Sequence, residues 1–138
     1  MADYFRHWLD MGPKLKHPPG IFHVNWFRKD ADGKFLWPGY GDNVRVLKWI
    51  LDRIEGRAAA SDTPIGYVPT ADSLTLDGLN ISRGAVDELL KVDPNDWVEE
   101  LDATGKFFEK FGKRLPEEIR AEHNTLGERL QRVSVAPK

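Results

Sequence analysis

The sequence contains no cysteine. This absence excludes disulfides, thiolate nucleophiles, iron–sulfur clusters and any zinc site that uses cysteine. The first seven residues lack the basic start and apolar run of a signal peptide, and no later stretch approaches about eighteen consecutive apolar residues. We therefore expect a cytoplasmic protein that does not carry that export signal and does not cross a membrane.

The sequence also lacks an excess of positive charge. Lysine and arginine number 20 against 22 acidic residues, which gives a net charge of −2 and a pI near 6.1. Nonspecific binding to nucleic acids or to anionic membranes depends on a positive field. The charge balance therefore predicts no nucleic-acid partner and no membrane partner.

The remaining composition is that of a folded domain, with 138 residues of which 41% are hydrophobic and 30% are charged. The pattern predicts one α+β domain over residues 1–138, with distinctive motifs in 1–80 and helices in 81–138. The predicted elements are a helix over 4–11, a β-hairpin with strands over 21–27 and 34–37, a helix over 44–54, a loop over 58–62, an extended edge segment over 63–69, and helices that begin near Ser82, Pro94 and Pro116.

Turn and capping residues mark the boundaries of these elements. Asp32-Gly33 is typical of a tight hairpin turn, and Gly56 is a helix stop. Ser82 and Asp93 are predicted N-caps, the second followed by Pro94 at the first helical position. On the last helix, the apolar residues predicted to face one side are Ile119, Leu126, Leu130 and Val133. The first helix begins without an N-cap, which favours its belonging to a longer structure.

The sequence offers few candidate catalytic, phosphate-binding or metal-binding residues. The four histidines are scattered, without the i,i+4 pairing of a helical metal site. No G-x-x-x-x-G-K-[ST] phosphate loop is present; Lys34, for example, directly follows a glycine but is followed by Phe35. The acidic pattern around Asp30 and Asp32 fits a hairpin turn better than a calcium loop, since Arg28 stands where the first ligand belongs. We therefore identify no catalytic residue and no metal ligand.

Aromatic residues are crowded into one stretch of the chain. Adjacent residues of a regular strand face opposite sides, so Trp26 and Phe27 cannot both be buried against one core. Either a planar ligand, on which aromatic rings stack, or a further portion of the protein should cover the second face. The aromatic residues concerned are Phe22, Trp26, Phe27, Phe35, Trp37, Tyr40 and Trp49.

Asn43 follows these rings at the predicted start of a helix, and two roles are open to it. It can cap the helix, as asparagine often does. Alternatively, its carboxamide can pair with a base, because it combines an acceptor with two donors. Guanine presents N–H donors beside an acceptor oxygen, whereas adenine offers a different pattern.

A long ordered series of motifs resembles GTP-dependent phosphoenolpyruvate carboxykinase. The matching stretches are Asp3 to Phe5, His7-Trp8, Phe22 to Asp30, Gly33 to Asn43, Arg45 to Leu47, Thr63 to Pro69, and Leu74, Leu76, Gly78 and Leu79. Similarity weakens after about residue 80. The resemblance implies a lyase that converts oxaloacetate and GTP to phosphoenolpyruvate, carbon dioxide and GDP in gluconeogenesis, with manganese or magnesium.

The resemblance also assigns a guanine-binding role to five residues. It implies an aromatic pocket formed by Trp26, Phe27, Phe35 and Tyr40, with Asn43 contacting the base edge. Tyr40 departs from the phenylalanine usual at its position, and its hydroxyl would change the polarity of the pocket. Asp42 replaces a common glutamate.

The resemblance places the phosphate-binding loop, the metal ligands, the oxaloacetate-binding arginines and the mobile lid of the family before this segment. We therefore expect residues 1–138 to be the C-terminal segment of the nucleotide-binding domain, partnered by the upstream portion of the enzyme. The isolated chain should bind GTP or GDP weakly and should not catalyse the reaction. Two alternatives remain open, which are a stand-alone module that binds a protein through its aromatic surface and self-association through exposed apolar surface.

Overall fold

The computed structural model describes residues 1–135, and these form two compact units. The first combines Met1–Pro19 with the segment from Asp93 onward, and the second is Gly20–Val92. None of the helices in the described part combines the length and apolar character needed to span a bilayer. The α+β class is confirmed, since helices accompany a single two-stranded antiparallel sheet among these residues.

The first unit is built from three helices, α1 (Ala2–Met11), α4 (Pro94–Glu109) and α5 (Glu117–Val135). Glycines allow α4 and α5 to approach closely, because a Cβ added to Gly127 would lie 3.2 Å from a methyl group of Leu101. A Cβ added to Gly105 would similarly meet the ring of His123 at 3.3 Å. That ring lies 2.9 Å from the Leu101 carbonyl oxygen through Nε2, which joins the two helices.

Aromatic contacts and an ion pair attach α1 to these helices. The ring of Phe5 makes edge contacts with Phe108 and Phe111, at centroid distances of 6.4 and 5.7 Å. Arg6 donates two hydrogen bonds to the carboxylate of Glu118, at 2.8 and 2.9 Å. This paired geometry connects the middle of α1 to the first turn of α5.

The second unit contains α2 (Asn43–Ile54), β1 (Ala60–Thr63), β2 (Gly66–Pro69) and α3 (Arg83–Leu90). Strands β1 and β2 pair antiparallel from Ala60 opposite Pro69 to Thr63 opposite Gly66. Trp49 is buried on α2, donates its indole N–H to the Ala59 carbonyl at 3.2 Å, and meets the edge of Phe22. These contacts hold the segment before β1 against α2.

Four short 3₁₀ turns connect the longer elements among the described residues. They lie at Gly12–Lys14, Tyr40–Asp42, Ala71–Ser73 and Gly112–Arg114. Local signals in the sequence account for several boundaries, because Ser82 accepts from the Ala85 N–H and Asp93 accepts from the Asn95 N–H. Both predicted N-caps are therefore confirmed.

Two strand predictions are wrong. Residues 21–27 are irregular, because the Asn25 side chain accepts the Phe27 N–H at 2.9 Å and closes a turn where a strand was expected. Residues 34–37 contribute one isolated bridge, between Lys29 and Phe35, rather than a regular strand. The regular hairpin lies later, at β1 and β2, so the predicted loop over 58–62 is wrong where β1 occupies it.

The residues predicted to face one side of the last helix differ in their burial. Leu130 is buried, whereas Val133 is about half exposed. The final turn of α5 therefore does not contribute Val133 to the core of this unit.

The Arg6–Glu118 pair predicts a pH-dependent contribution to stability. Hydrogen bonding from Arg6 is the largest cause that lowers the pKa of Glu118 below its ordinary value of 4.5. A lowered carboxyl pKa stabilises the fold above the unfolded value, and that contribution is lost as pH falls through the folded pKa. Glu118→Gln should therefore lower the melting temperature slightly at neutral pH, since the pair is exposed, and the difference from wild type should disappear in acid.

The measurement is thermal unfolding followed by circular dichroism between pH 3 and pH 7. Glu99→Gln is the control, because no ion pair is described for Glu99 within residues 1–135. Equal effects of the two substitutions at every pH would contradict a specific role for the pair.

Candidate functional site

One cleft of about 880 Å³ lies in the second unit and brings together all five residues assigned to guanine binding. The loop before α2 forms one wall and the start of α3 forms another. The residues that line it are Trp26, Phe27, Asp30, Lys34, Phe35, Leu36, Trp37, Pro38, Gly39, Tyr40, Asn43, Asn80, Ile81, Ser82 and Ala85. The structure thus gathers these side chains around a common space.

A tight turn positions the rings of Phe27 and Phe35 in the cleft. The Asp30 carboxylate accepts the backbone N–H groups of Asp32 and Lys34, at 3.0 and 2.9 Å. Gly33 has φ +79°, a left-handed conformation that glycine adopts without steric cost. Because the chain reverses here, Phe27 and Phe35 lie with ring centroids 6.1 Å apart in an edge arrangement.

The rings of the cleft remain open to solvent. Tyr40 is 93% exposed and Phe27 is 72% exposed, while Phe35 is about half exposed and Trp26 is partly buried. Lys29 places its Nζ atom 5.0 Å from the centroid of Phe35. Exposed aromatic faces around one space provide the surface on which a flat heterocycle can stack.

Asn43 does not cap α2, so that interpretation is wrong. Asp42 precedes the helix, and Asn43 is its first residue, with helical φ −59° and ψ −28°. Its side-chain oxygen accepts the indole N–H of Trp37 at 2.9 Å. Trp37 is only 7% exposed, so a buried donor determines the direction of the Asn43 carboxamide.

Arg45 fixes the start of α2 next to the cleft. Its guanidinium pairs with the Asp42 carboxylate at 3.1 Å and donates to the carbonyl oxygens of Thr75 and Asp77, at 2.8 and 3.0 Å. Three partners on two segments restrain both the turn before α2 and the chain that leads to Asn80. Asp42 thus supports the wall of the cleft.

The wall formed by Asn80, Ile81, Ser82 and Ala85 was missed in the sequence. The sequence signal closest to this wall was the N-cap at Ser82, which predicted helix α3 but did not predict that the helix begins beside the aromatic residues. Arg28, next to Phe27, links the aromatic segment to the C-terminal end of α3, because it donates to the Leu89 and Lys91 carbonyl oxygens and pairs with Glu88. Because Arg28 and these partners are at least sixty residues apart in the sequence, no local sequence pattern predicts their contact.

The described residues offer no cluster of ligands for the divalent ion that the resemblance implies. Among residues 1–135 no group of three or more histidines and carboxylates could hold a metal. The cleft instead offers stacking surfaces and amide groups. These side chains suit recognition of a planar base.

Comparison with known proteins agrees with the resemblance. The model of the phosphoenolpyruvate carboxykinase C-terminal P-loop domain matches residues 1–129. The chain is 50% identical over 130 residues to phosphoenolpyruvate carboxykinase [GTP] of Anaeromyxobacter dehalogenans (strain 2CP-1), an alignment that covers 94% of this chain and 22% of that protein. It is 52% identical over 123 residues to the protein of the same name in Treponema pallidum (strain Nichols), covering 87% and 20%.

A third relative, from Arthrobacter sp. (strain FB24), has the same name and is 48% identical over 131 residues, covering 94% of this chain and 21% of the relative. The chain therefore spans about a fifth of the length of these relatives. The alternative of a stand-alone interaction module receives no support from these matches.

The geometry at Gly39 predicts a local effect on stability. Gly39 has φ +136° and ψ −172°, a region that is almost exclusive to glycine, and it immediately precedes Tyr40. Gly39→Ala should destabilise the chain by about 1–3 kcal/mol through backbone strain. Gly41→Ala is the matched control, since neither position has an atom within 4 Å of an added Cβ and Gly41 has no positive φ. Chemical denaturation measures both, and equal stabilities would contradict the strain.

Proposed function

Because the chain belongs to the GTP-dependent phosphoenolpyruvate carboxykinase family, we propose that its cleft binds the guanine base of GTP and GDP. In this proposal the larger enzyme is cytoplasmic and converts oxaloacetate and GTP to phosphoenolpyruvate, carbon dioxide and GDP in gluconeogenesis, with manganese or magnesium held outside this chain. Residues 1–138 form one part of its nucleotide-binding domain. The observation that carries the proposal is the convergence of five expected side chains on one cleft.

The rings and the carboxamide have separate tasks in this proposal. Trp26, Phe27, Phe35 and Tyr40 provide the apolar faces between which the base stacks. Asn43 provides hydrogen bonds to the base edge. Since its oxygen already accepts from Trp37, its amide N–H groups are the complement to the acceptor O6 of guanine.

The energies of these contacts limit what the chain does alone. Stacking contributes roughly 1–3 kcal/mol and one neutral hydrogen bond about 0.5–1.5 kcal/mol, against about 4.1 kcal/mol for a millimolar complex. Most of the affinity for a nucleotide must then come from contacts to its phosphates. We therefore propose that the isolated chain binds GDP weakly and is inactive, and that the rest of the enzyme supplies phosphate and metal contacts.

An apolar stripe on α2 supports the presence of a covering partner. Val44, Leu47, Leu51 and Ile54 follow helical spacing, and each is at least 50% exposed. The stripe begins beside Asn43, at the edge of the cleft. We propose that the upstream portion of the enzyme covers this stripe, and that the chain self-associates through it when that portion is missing.

Titration with GDP tests the base site. Dissociation constants should be millimolar or weaker, and the indole N–H signals of Trp26 and Trp37 should shift in two-dimensional nuclear magnetic resonance spectra. Trp49 lies outside the lining of the cleft and serves as an internal control. Micromolar affinity, or shifts confined to Trp49, would contradict the proposed site.

Size-exclusion chromatography over a concentration series tests the stripe. Wild type should elute earlier as concentration rises, and Leu51→Glu should reduce this shift by placing a charge within the apolar surface. Ser61→Glu adds the same charge at an exposed position of β1 and should behave like wild type. A wild-type chain that is strictly monomeric at all concentrations would contradict self-association through the stripe.

A further inference from the structure

The hydrogen bond between Trp37 and Asn43 affects selectivity as well as packing. A carboxamide presents an oxygen on one side and an amino group on the other, and rotation by about 180° exchanges them. The buried indole of Trp37 places a donor 2.9 Å from the oxygen of Asn43. The reverse orientation would set an amino group against an N–H group, so it loses a hydrogen bond and leaves a buried donor unsatisfied.

We propose that Trp37 is a positioning residue that sets the base selectivity of the cleft by holding the Asn43 carboxamide in one orientation. The inference rests on the proposed function, since it concerns the same site. With its oxygen turned to Trp37, Asn43 offers donors to a base. A 6-oxopurine accepts at O6, whereas adenine places a donor amino group at that position.

Without the indole N–H, Asn43 would be free to rotate. In the rotated state its oxygen would accept from the 6-amino group of adenine, and the distinction between the two purine classes would be lost. A phenyl ring at position 37 would still fill much of the buried space. Removal of the donor therefore separates the positioning role of Trp37 from its packing role.

The same unit provides a matched structural control. Trp49 is also buried, at 4% exposure, and its indole N–H also donates a hydrogen bond, to the Ala59 carbonyl at 3.2 Å. Its partner is a backbone group away from the cleft lining. Trp49→Phe thus removes the same atoms from a comparable environment without altering any contact of Asn43.

Inosine monophosphate and adenosine monophosphate are suitable probes, because they share sugar and phosphate and differ at position 6 and the adjoining N1. Dissociation constants for both are measured by nuclear magnetic resonance titration of the whole chain at millimolar ligand. Wild type should prefer inosine monophosphate by about 2- to 10-fold, the range expected for one neutral hydrogen bond. Trp37→Phe should bring this ratio close to one, and Trp49→Phe should retain it.

The outcomes separate the two claims. Equal binding of both nucleotides by wild type would overturn the proposed guanine site itself. A wild-type preference that survives Trp37→Phe would overturn the positioning role while leaving the guanine site intact. Loss of the preference in both tryptophan variants would also overturn it, because general destabilisation would then explain the effect.

A measurement on wild type keeps the inference testable if Trp37→Phe does not fold. The indole N–H of Trp37 should exchange slowly with solvent, and its resonance should move in Asn43→Ala. Fast exchange in wild type, or an unchanged resonance in Asn43→Ala, would show that the hydrogen bond does not hold the carboxamide.

Discussion

The hydrogen bond from the Trp37 indole to Asn43 joins the loop before α2 to the first turn of that helix. A buried N–H group that lacks a partner costs about 1–3 kcal/mol, so the interior of the unit requires an acceptor at this place. Asn43 meets that requirement while its carboxamide also lines the cleft. A requirement of the core thus determines which atoms Asn43 turns toward the cleft.

Local turns, rather than a regular sheet, position the residues that line the cleft. The Asp30 turn sets Phe27 against Phe35, Gly39 allows the backbone to swing before Tyr40, and Arg45 ties the start of α2 to the segment before α3. Each of these features shapes a different segment around the cleft. The exposed rings are therefore carried by a framework of hydrogen bonds beneath them.

The sequence predicted features that follow from local chemistry. The turn at Asp32-Gly33, the stop at Gly56 and the caps at Ser82 and Asp93 depend on neighbouring residues and are present in the structure. The strand over 21–27 was wrong because aromatic and β-branched residues also suit an irregular, half-covered segment. Strand β1 was missed because Ala60 to Asp62 have low β-propensity and pair through the following hairpin.

The sequence also predicted only part of the candidate site. The five aromatic and amide residues came from crowding in the sequence and from a family resemblance, and one cleft contains them all. The wall at Asn80 to Ser82 could not be predicted, because it depends on how separate segments pack. The Trp37–Asn43 contact could not be predicted either, because it depends on the geometry of the turn between the two residues. Sequence spacing identifies types of side chain, whereas packing determines which of their atoms face a ligand.

In the proposed function, base recognition in this chain is separated from phosphate and metal chemistry. The described residues offer stacking faces and amide groups but no cluster of metal ligands, and the chain spans about a fifth of its relatives. In this proposal the small energies of stacking and of one hydrogen bond make base binding selective but weak, and other parts of the enzyme hold the phosphates.

Intermolecular nuclear Overhauser effects between guanosine monophosphate and the chain test this account most directly. The account predicts contacts from the guanine H8 proton to the ring protons of Phe27, Phe35 and Tyr40. Contacts to aromatic residues outside the cleft, with none to these three rings, would contradict it.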